Sequence, residues 1–114
     1  MVDYDDDWFQ IALYMQKKLQ QKLFPDLEQK TVNERMLVNT HALMHEVMEV
    51  ERELNWKHWK KDKLINWDAV KDEIADEMIF LMNQINIMGM SSEDIIKRVI
   101  DKMDTNVSRQ MHGY

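Results

Sequence analysis

The chain has 114 residues, with no cysteine, two glycines and one proline. This length suits one compact domain rather than two, and such low glycine and proline contents are typical of helices joined by short connections. The net charge of -6 argues against a domain that grips nucleic acid, and the lack of cysteine excludes disulfides and thiolate metal sites. We therefore expect one all-α domain over residues 1–114, in which oxygen or histidine holds any metal.

The first half of the chain contains two predicted helices. Apolar residues recur every three or four positions over residues 7–24 and stop before Pro25. Thr31 and Glu34 then form a capping-box signature, and a second apolar stripe runs to about residue 55. The expected buried stripes are Trp8, Ile11, Ala12, Met15, Leu19 and Leu23 in the first helix, and Met36, Leu43, Val47, Val50 and Leu54 in the second.

Residues 56–66 are basic and aromatic without a helical period, which predicts a loop. A third helix is expected from about residue 67 to 88, because Gly89 supplies the residue type that favours a left-handed cap. Ser91 and Asp94 predict the start of a fourth helix through Met103, and the tail 108–114 is polar without a periodic stripe. The expected buried stripe of the third helix is Val70, Ile74, Leu81 and Ile85.

Four helices on short loops predict an antiparallel four-helix bundle. Eleven methionines and four tryptophans leave more apolar surface than one small bundle covers, so we expect a homo-oligomer, either a dimer or a tetramer. The N-terminal stretch is acidic and no apolar run approaches the length of a membrane span. These features predict a cytoplasmic protein without a membrane or nucleic-acid polymer as partner.

Two rows of acidic residues border the predicted apolar stripes. Glu46 and Glu49 lie on one side of the second helix, whereas Glu51 lies on its other edge; Glu73 and Asp76 occupy the matching place on the third helix. Facing one another across a cleft, these carboxylates would repel unless a cation neutralised them, and oxygen ligands favour Mg²⁺, with Mn²⁺ as a substitute. Taken singly, each pair also fits an ordinary solvated helix face.

The histidines do not strengthen the metal prediction. His41 and His45 are four residues apart, but the sequence around them is not HExxH, and the chain contains no E-x-x-H. We assign both histidines to the helix surface.

The acidic spacing, Glu46-x-x-Glu49 followed by Glu73-x-x-Asp76, resembles the ExxE...ExxD signature of the all-α nucleoside triphosphate pyrophosphohydrolases, the MazG-like and dimeric dUTPase superfamily. The segment 55–60, NWKHWK, resembles the Lys-aromatic-Trp element of dimeric dUTPases. The C-terminal pattern resembles their last motif, and its residues are Lys102, Asn106, Arg109, Gly113 and Tyr114.

The resemblance implies roles for these residues. The four acids would be the Mg²⁺ ligands, and Glu49 would also be the catalytic base. The implied substrate-binding residues are Gln16, Lys57, Trp59, Phe80, Asn83, Lys102, Asn106, Arg109 and Tyr114. The implied reaction is hydrolysis of dUTP to dUMP and pyrophosphate, with attack at the β-phosphorus.

Two alternatives stay open. The connection between the third and fourth helices is shorter than in the characterised dimeric dUTPases, so the substrate could instead be another deoxynucleoside triphosphate, or several, as in MazG-like enzymes. A function of another class is a non-catalytic helical oligomer that binds a metal.

Overall fold

In the computed structural model, which describes residues 7–113, the chain is all-helical. Within that range there are four α-helices, one short 3-10 turn and no strand, which confirms the predicted fold class. The helices are α1 (Trp8–Leu23), α2 (Val32–Glu53), α3 (Trp67–Ile87) and α4 (Ser92–Met111), and the 3-10 turn is Leu27–Gln29. No helix in this part of the chain is both long and apolar enough to cross a membrane.

Each helix begins at a polar side chain that accepts a hydrogen bond from a backbone amide of the first turn. Thr31 accepts from the amide of Glu34 at 3.1 Å, and Ser91 accepts from the amide of Asp94 at 3.1 Å, as the capping signatures predicted. At the other end of α3, Gly89 adopts a φ of 68°, and the amide of Met90 donates to the carbonyl of Ile85. These contacts close the helix with a Schellman motif.

Helix α3 is the centre of the fold. It runs antiparallel to α2, because Gln84 contacts Thr40 at one end while Glu73 approaches Glu46 at the other. It also runs antiparallel to α1, where the side chain of Asn86 donates to the Leu13 carbonyl at 2.9 Å. Helix α4 packs mainly against α1, so the packing of the four helices is uneven.

The face that α1 buries differs from the predicted one. The stripe that includes Trp8, Met15 and Leu23 is exposed, whereas Leu13 and Gln16, about a quarter turn away, are buried. In the described range, the only buried apolar side chains are Leu13, Val70 and Ile85, and of these only Leu13 is fully buried. The predicted core stripe of α1 is therefore wrong, because the face that meets α3 carries amides as well as apolar groups.

The fourth helix extends beyond the prediction. It continues through residues 104–111, and its C-cap amide, at His112, bonds to the Ser108 carbonyl. Val107 and Met111 continue the spacing of Ile100 and Met103, so an apolar stripe does run into the segment that we predicted to lack one.

Candidate metal and nucleotide site

The acidic cluster lies between the C-terminal half of α2 and the N-terminal half of α3. Oxygen atoms of Glu46, Glu73 and Asp76 all come within 4.8 Å of one another. The cluster forms because these residues occupy the packing face of each helix, in line with the contacts between Asn39 and Asn83 further along the pair. The structure thus brings together three of the four predicted metal ligands.

The carboxyl of Glu73 has a raised pKa in this cluster. Partial burial raises the pKa of its carboxyl above the ordinary value of 4.5, and the charges of Asp76, Glu46 and Glu49 raise that pKa further. Carboxylates this close together repel one another, so a bound cation would stabilise the cluster.

The fourth predicted ligand, Glu49, lies beside the cluster rather than within it. Its carboxylate accepts a hydrogen bond from Nη1 of Arg52, one turn further along α2. It is close enough for its charge to act on Glu73. Arg52 was not among the predicted site residues, although an acid followed by arginine three positions later is a recognisable helical pair.

A chain of buried amides occupies the other half of the contact between α2 and α3. Gln16 Nε2 donates to Asn83 Oδ1 at 2.9 Å, Asn83 Nδ2 donates to Asn39 Oδ1 at 2.9 Å, and Asn39 Nδ2 donates to the Arg35 carbonyl at 2.9 Å. Asn83 and Asn39 are 2% and 3% exposed, so the chain links three helices through the interior. The structure brings the predicted residues Gln16 and Asn83 into direct contact.

Asn39 is a further residue of the candidate site that was not predicted from the sequence. It lies four and seven positions before Leu43 and Glu46, on the same helix face, so a polar residue in the packing stripe was the available signal. A small cavity opens beside it, lined by Asn39, Asn83, Arg35 and Lys17. Phe80 lies half-buried on α3 between the amides and the acids.

The loop 54–66 forms a basic surface beyond the end of α2. Asn55 holds it in place, since its side chain pairs with both the amide and the carbonyl of Lys63. Trp59 is 61% exposed and stands edge-on to Trp56, with their ring centroids 5.7 Å apart, while Lys57 Nζ lies over the Trp56 ring. The basic side chains that line one groove here are Arg52, Lys57, Lys60, Lys61 and Lys63.

Arg52 connects this loop to the acidic cluster. Its side chain contacts Glu49, and its carbonyl accepts a hydrogen bond from Lys63 Nζ at 2.6 Å. The loop begins eight residues after Glu46, which is about 12 Å along the helix axis at a rise of 1.5 Å per residue. Lys57 and Trp59 therefore lie at the same end of the fold as the acids.

The predicted C-terminal residues are arranged differently. Lys102, Asn106 and Arg109 share one side of α4 and are exposed, whereas the acids lie between α2 and α3. Tyr114 lies outside the described residues. Within one chain, α4 packs mainly on α1.

Comparison with known proteins identifies the family. A family model described as dUTPase matches residues 9–87, which include α1, α2 and α3 with both acidic pairs. No curated protein and no solved structure matches the chain. The match covers more than half of the protein and includes both the buried amides and the carboxylates. The protein therefore belongs to the dUTPase family.

Proposed function

We propose that this chain is a Mg²⁺-dependent nucleoside triphosphate pyrophosphohydrolase that converts dUTP and water to dUMP and pyrophosphate. The observation that carries the proposal is the convergence of Glu46, Glu73 and Asp76 from two helices, within the segment that matches the dUTPase family. Clustered carboxylates suit a hard divalent cation, and a triphosphate is the substrate class that such a cation bridges.

The donor set fits Mg²⁺ in its chemistry. Glu46, Glu73 and Asp76 offer oxygen ligands, and Glu49, whose charge acts on Glu73, is the proposed fourth ligand. Bound there, Mg²⁺ would supply neutralisation of the phosphate charge and acidification of water, and Mn²⁺ is the expected substitute.

Glu49 is the proposed general base. It would take a proton from the attacking water, whose oxygen adds to the β-phosphorus while the bond from that phosphorus to the α,β-bridging oxygen breaks. The bridging oxygen leaves with dUMP, and the water oxygen remains in pyrophosphate. Arg52 is the proposed positioning residue, because it holds the Glu49 carboxylate.

The buried amides are the proposed base-recognition element. After its two hydrogen bonds along the chain, Asn83 keeps one further N–H and one further lone pair, which is the complement of a pyrimidine imide edge. Gln16 would hold Asn83 in that orientation. Phe80 and Trp59 would pack against the base and sugar, and Lys57 would meet phosphate.

The remaining proposed substrate contacts come from the C-terminal motif. Lys102 and Arg109 would donate to phosphate oxygens, with arginine able to make a two-pronged contact, and Asn106 and Tyr114 would add neutral hydrogen bonds.

The direct experiment measures pyrophosphate release from dUTP with Mg²⁺, for the unaltered chain and for Glu49→Gln. We expect a loss of about 10²–10⁴-fold in kcat, the range for removing a general base. The matched control is Glu51→Gln, which removes an exposed carboxylate from the other edge of the same helix and should leave the rate unchanged. Equal rates for Glu49→Gln and the unaltered chain would exclude this assignment.

A broader substrate range is the second candidate. Only residues 88–91 separate α3 from α4, which leaves little chain to close over the base. A panel of deoxynucleoside triphosphates distinguishes a dUTPase from an enzyme of broader substrate range, since a dUTPase would have a higher kcat/KM for dUTP than for dCTP and dTTP. Metal stabilisation of the fold without hydrolysis of any nucleotide would support the non-catalytic alternative instead.

A further inference from the structure

The hydrogen bonds between the buried amides all run in one direction. Gln16 Nε2 donates to Asn83 Oδ1, and Asn83 Nδ2 donates to Asn39 Oδ1, both at 2.9 Å. Asn39 Nδ2 then donates to the backbone carbonyl of Arg35, also at 2.9 Å. Every donor therefore points towards the backbone of α2. The three amide side chains are 8% exposed or less, so a bond lost between them is not replaced by bulk water.

The Arg35 carbonyl decides this direction. A backbone carbonyl only accepts hydrogen bonds, so Asn39 has to turn its NH2 group towards Arg35 and its oxygen towards Asn83. That oxygen also only accepts, so Asn83 has to turn its NH2 group towards Asn39. If the Asn83 amide rotated by half a turn, two oxygens would face each other and this bond would be lost. Asn39 therefore fixes the orientation of the Asn83 amide.

Gln16, at the other side of Asn83, imposes no such constraint. Its amide carries both a donor and an acceptor, and it can turn either one towards Asn83. Removing the acceptor at Asn39 is therefore expected to free the Asn83 amide to rotate, with Gln16 following it.

A neighbouring contact has the same design but does not involve Asn83. Gln84 Nε2 donates to Thr40 Oγ1 at 3.0 Å, and that hydroxyl donates to the Met36 carbonyl at 2.7 Å. In both contacts a side chain of α2 links an amide of α3 to a backbone carbonyl four residues earlier in α2. A substitution at Thr40 therefore measures what the loss of such a link costs the helix packing alone.

The orientation of Asn83 decides which pyrimidine its free groups can pair with. Uracil presents an N3–H donor beside the O4 acceptor, whereas cytosine presents an N3 acceptor beside the N4 amino donor. A primary amide can pair with either edge, but only in opposite orientations. An amide that is held in one orientation therefore selects one base.

We propose that Asn39 is a specificity-determining positioning residue of the nucleotide site. It holds the Asn83 amide in the orientation that pairs with uracil, so that cytosine would bring its amino group to the amide N–H and its N3 atom to the amide oxygen. The proposal rests on the proposed function, in which Asn83 contacts the base of dUTP. The hydrogen bonds that stabilise the packing of α2 on α3 thereby also select the base.

The test compares kcat/KM for dUTP with kcat/KM for dCTP. Asn39→Leu keeps a similar side-chain volume but offers Asn83 no acceptor, so the ratio of the two values should fall by about tenfold, the weight of one hydrogen bond. A merely structural role for Asn39 would lower both values equally and leave their ratio unchanged. Denaturant titration shows whether the variant is folded. If it is not, Asn39→Ala removes the same two bonds and leaves space for water.

Two further variants separate orientation from stability. Asn39→Asp still turns an oxygen towards Asn83, so it should keep the ratio near that of the unaltered chain. Its second oxygen then faces the Arg35 carbonyl, which should lower the stability. Thr40→Val is the matched control, because it removes the neighbouring link and should lower the stability without changing the ratio.

A folded Asn39→Leu chain with the ratio of the unaltered chain would overturn the proposal. So would an equal fall of the ratio in Asn39→Asp, because an acceptor at this position would then not hold Asn83. An equal fall in Thr40→Val would do the same, since selectivity would then follow the stability of the helix contact.

Failure of the proposed function has a different signature. If the unaltered chain neither hydrolyses dUTP nor binds a non-hydrolysable dUTP analogue with Mg²⁺, the proposed function is rejected, and the role of Asn39 with it. If the unaltered chain hydrolyses dUTP and dCTP equally well, the pyrophosphohydrolase activity stands and only the selection through Asn39 is rejected.

Discussion

The two ends of the contact between α2 and α3 handle polar groups in opposite ways. At one end, Gln16, Asn83 and Asn39 form a chain in which each amide nitrogen donates one hydrogen bond to an oxygen, and no buried side-chain nitrogen or oxygen in the described range lacks a partner. At the other end, Glu46, Glu73 and Asp76 present acceptors to one another. Each amide of the first end therefore has a hydrogen-bond partner within the chain, whereas the carboxylates of the second end need a cation or a proton from outside.

The difference distinguishes polar groups that stabilise helix packing from polar groups that are available to bind a ligand. Amides satisfy each other because each carries both donors and acceptors, so they can fill a helix interface at little cost. Ionised carboxylates only accept hydrogen bonds, so three of them placed together repel one another and lower the stability of the fold. Such a cluster is therefore better explained by a chemical role than by a structural one. Three measurements would test this contrast, from the largest expected effect to the smallest.

Asn83→Leu tests whether the amide end is structural. The substitution removes the centre of the chain and leaves the donor of Gln16 and the acceptor of Asn39 buried without partners. We expect the free energy of unfolding to fall by about 3 kcal/mol, with or without Mg²⁺. Denaturant titration measures it, and Asn33→Leu on the exposed start of α2 is the control. A loss below that of the control would mean that the amides do not stabilise the interface.

Mg²⁺ should act on the carboxylate end alone. At 100 times its Kd, a ligand that binds only the folded state adds about 2.7 kcal/mol, so Mg²⁺ should raise Tm of the unaltered chain. Asn33→Leu should keep this rise. Glu73→Gln should lose most of it, and its metal-free form should be at least as stable as the unaltered chain, because one charge has left the cluster. A metal-free Glu73→Gln chain that is less stable would show that the cluster is self-sufficient.

Asp94 provides the opposite case of a carboxylate that has donors. Hydrogen bonds from Ser91 lower its pKa below the ordinary value of 3.8. A lowered folded pKa gives stability that is present above 3.8 and is lost as the pH falls through the folded value. Asp94→Asn should therefore remove a small acid-side dependence of Tm, because the side chain at this position no longer titrates. Identical acid-side profiles for the two chains would contradict this expectation.

Much of the local structure could be predicted from the sequence. The helix starts at Thr31 and Ser91 and the helix end at Gly89 follow from capping chemistry, which depends on a few neighbouring residues. The acidic pairs were also visible, since their spacing places each pair on one side of a helix. The buried face of α1 was not visible, because its more apolar stripe is exposed and a less apolar face packs on α3.

The sequence by itself determined that the chain is helical, where most of the helices begin and end, and which carboxylates lie beside the helix contacts, because these properties depend on short-range spacing and residue type. Only the tertiary structure decided that Glu46, Glu73 and Asp76 meet while Glu49 contacts Arg52, that Asn39 joins Gln16 and Asn83, and that α4 packs mainly on α1 and is exposed from residue 96 onward. These outcomes depend on which face of each helix meets its neighbour, and packing of the whole chain selects that face.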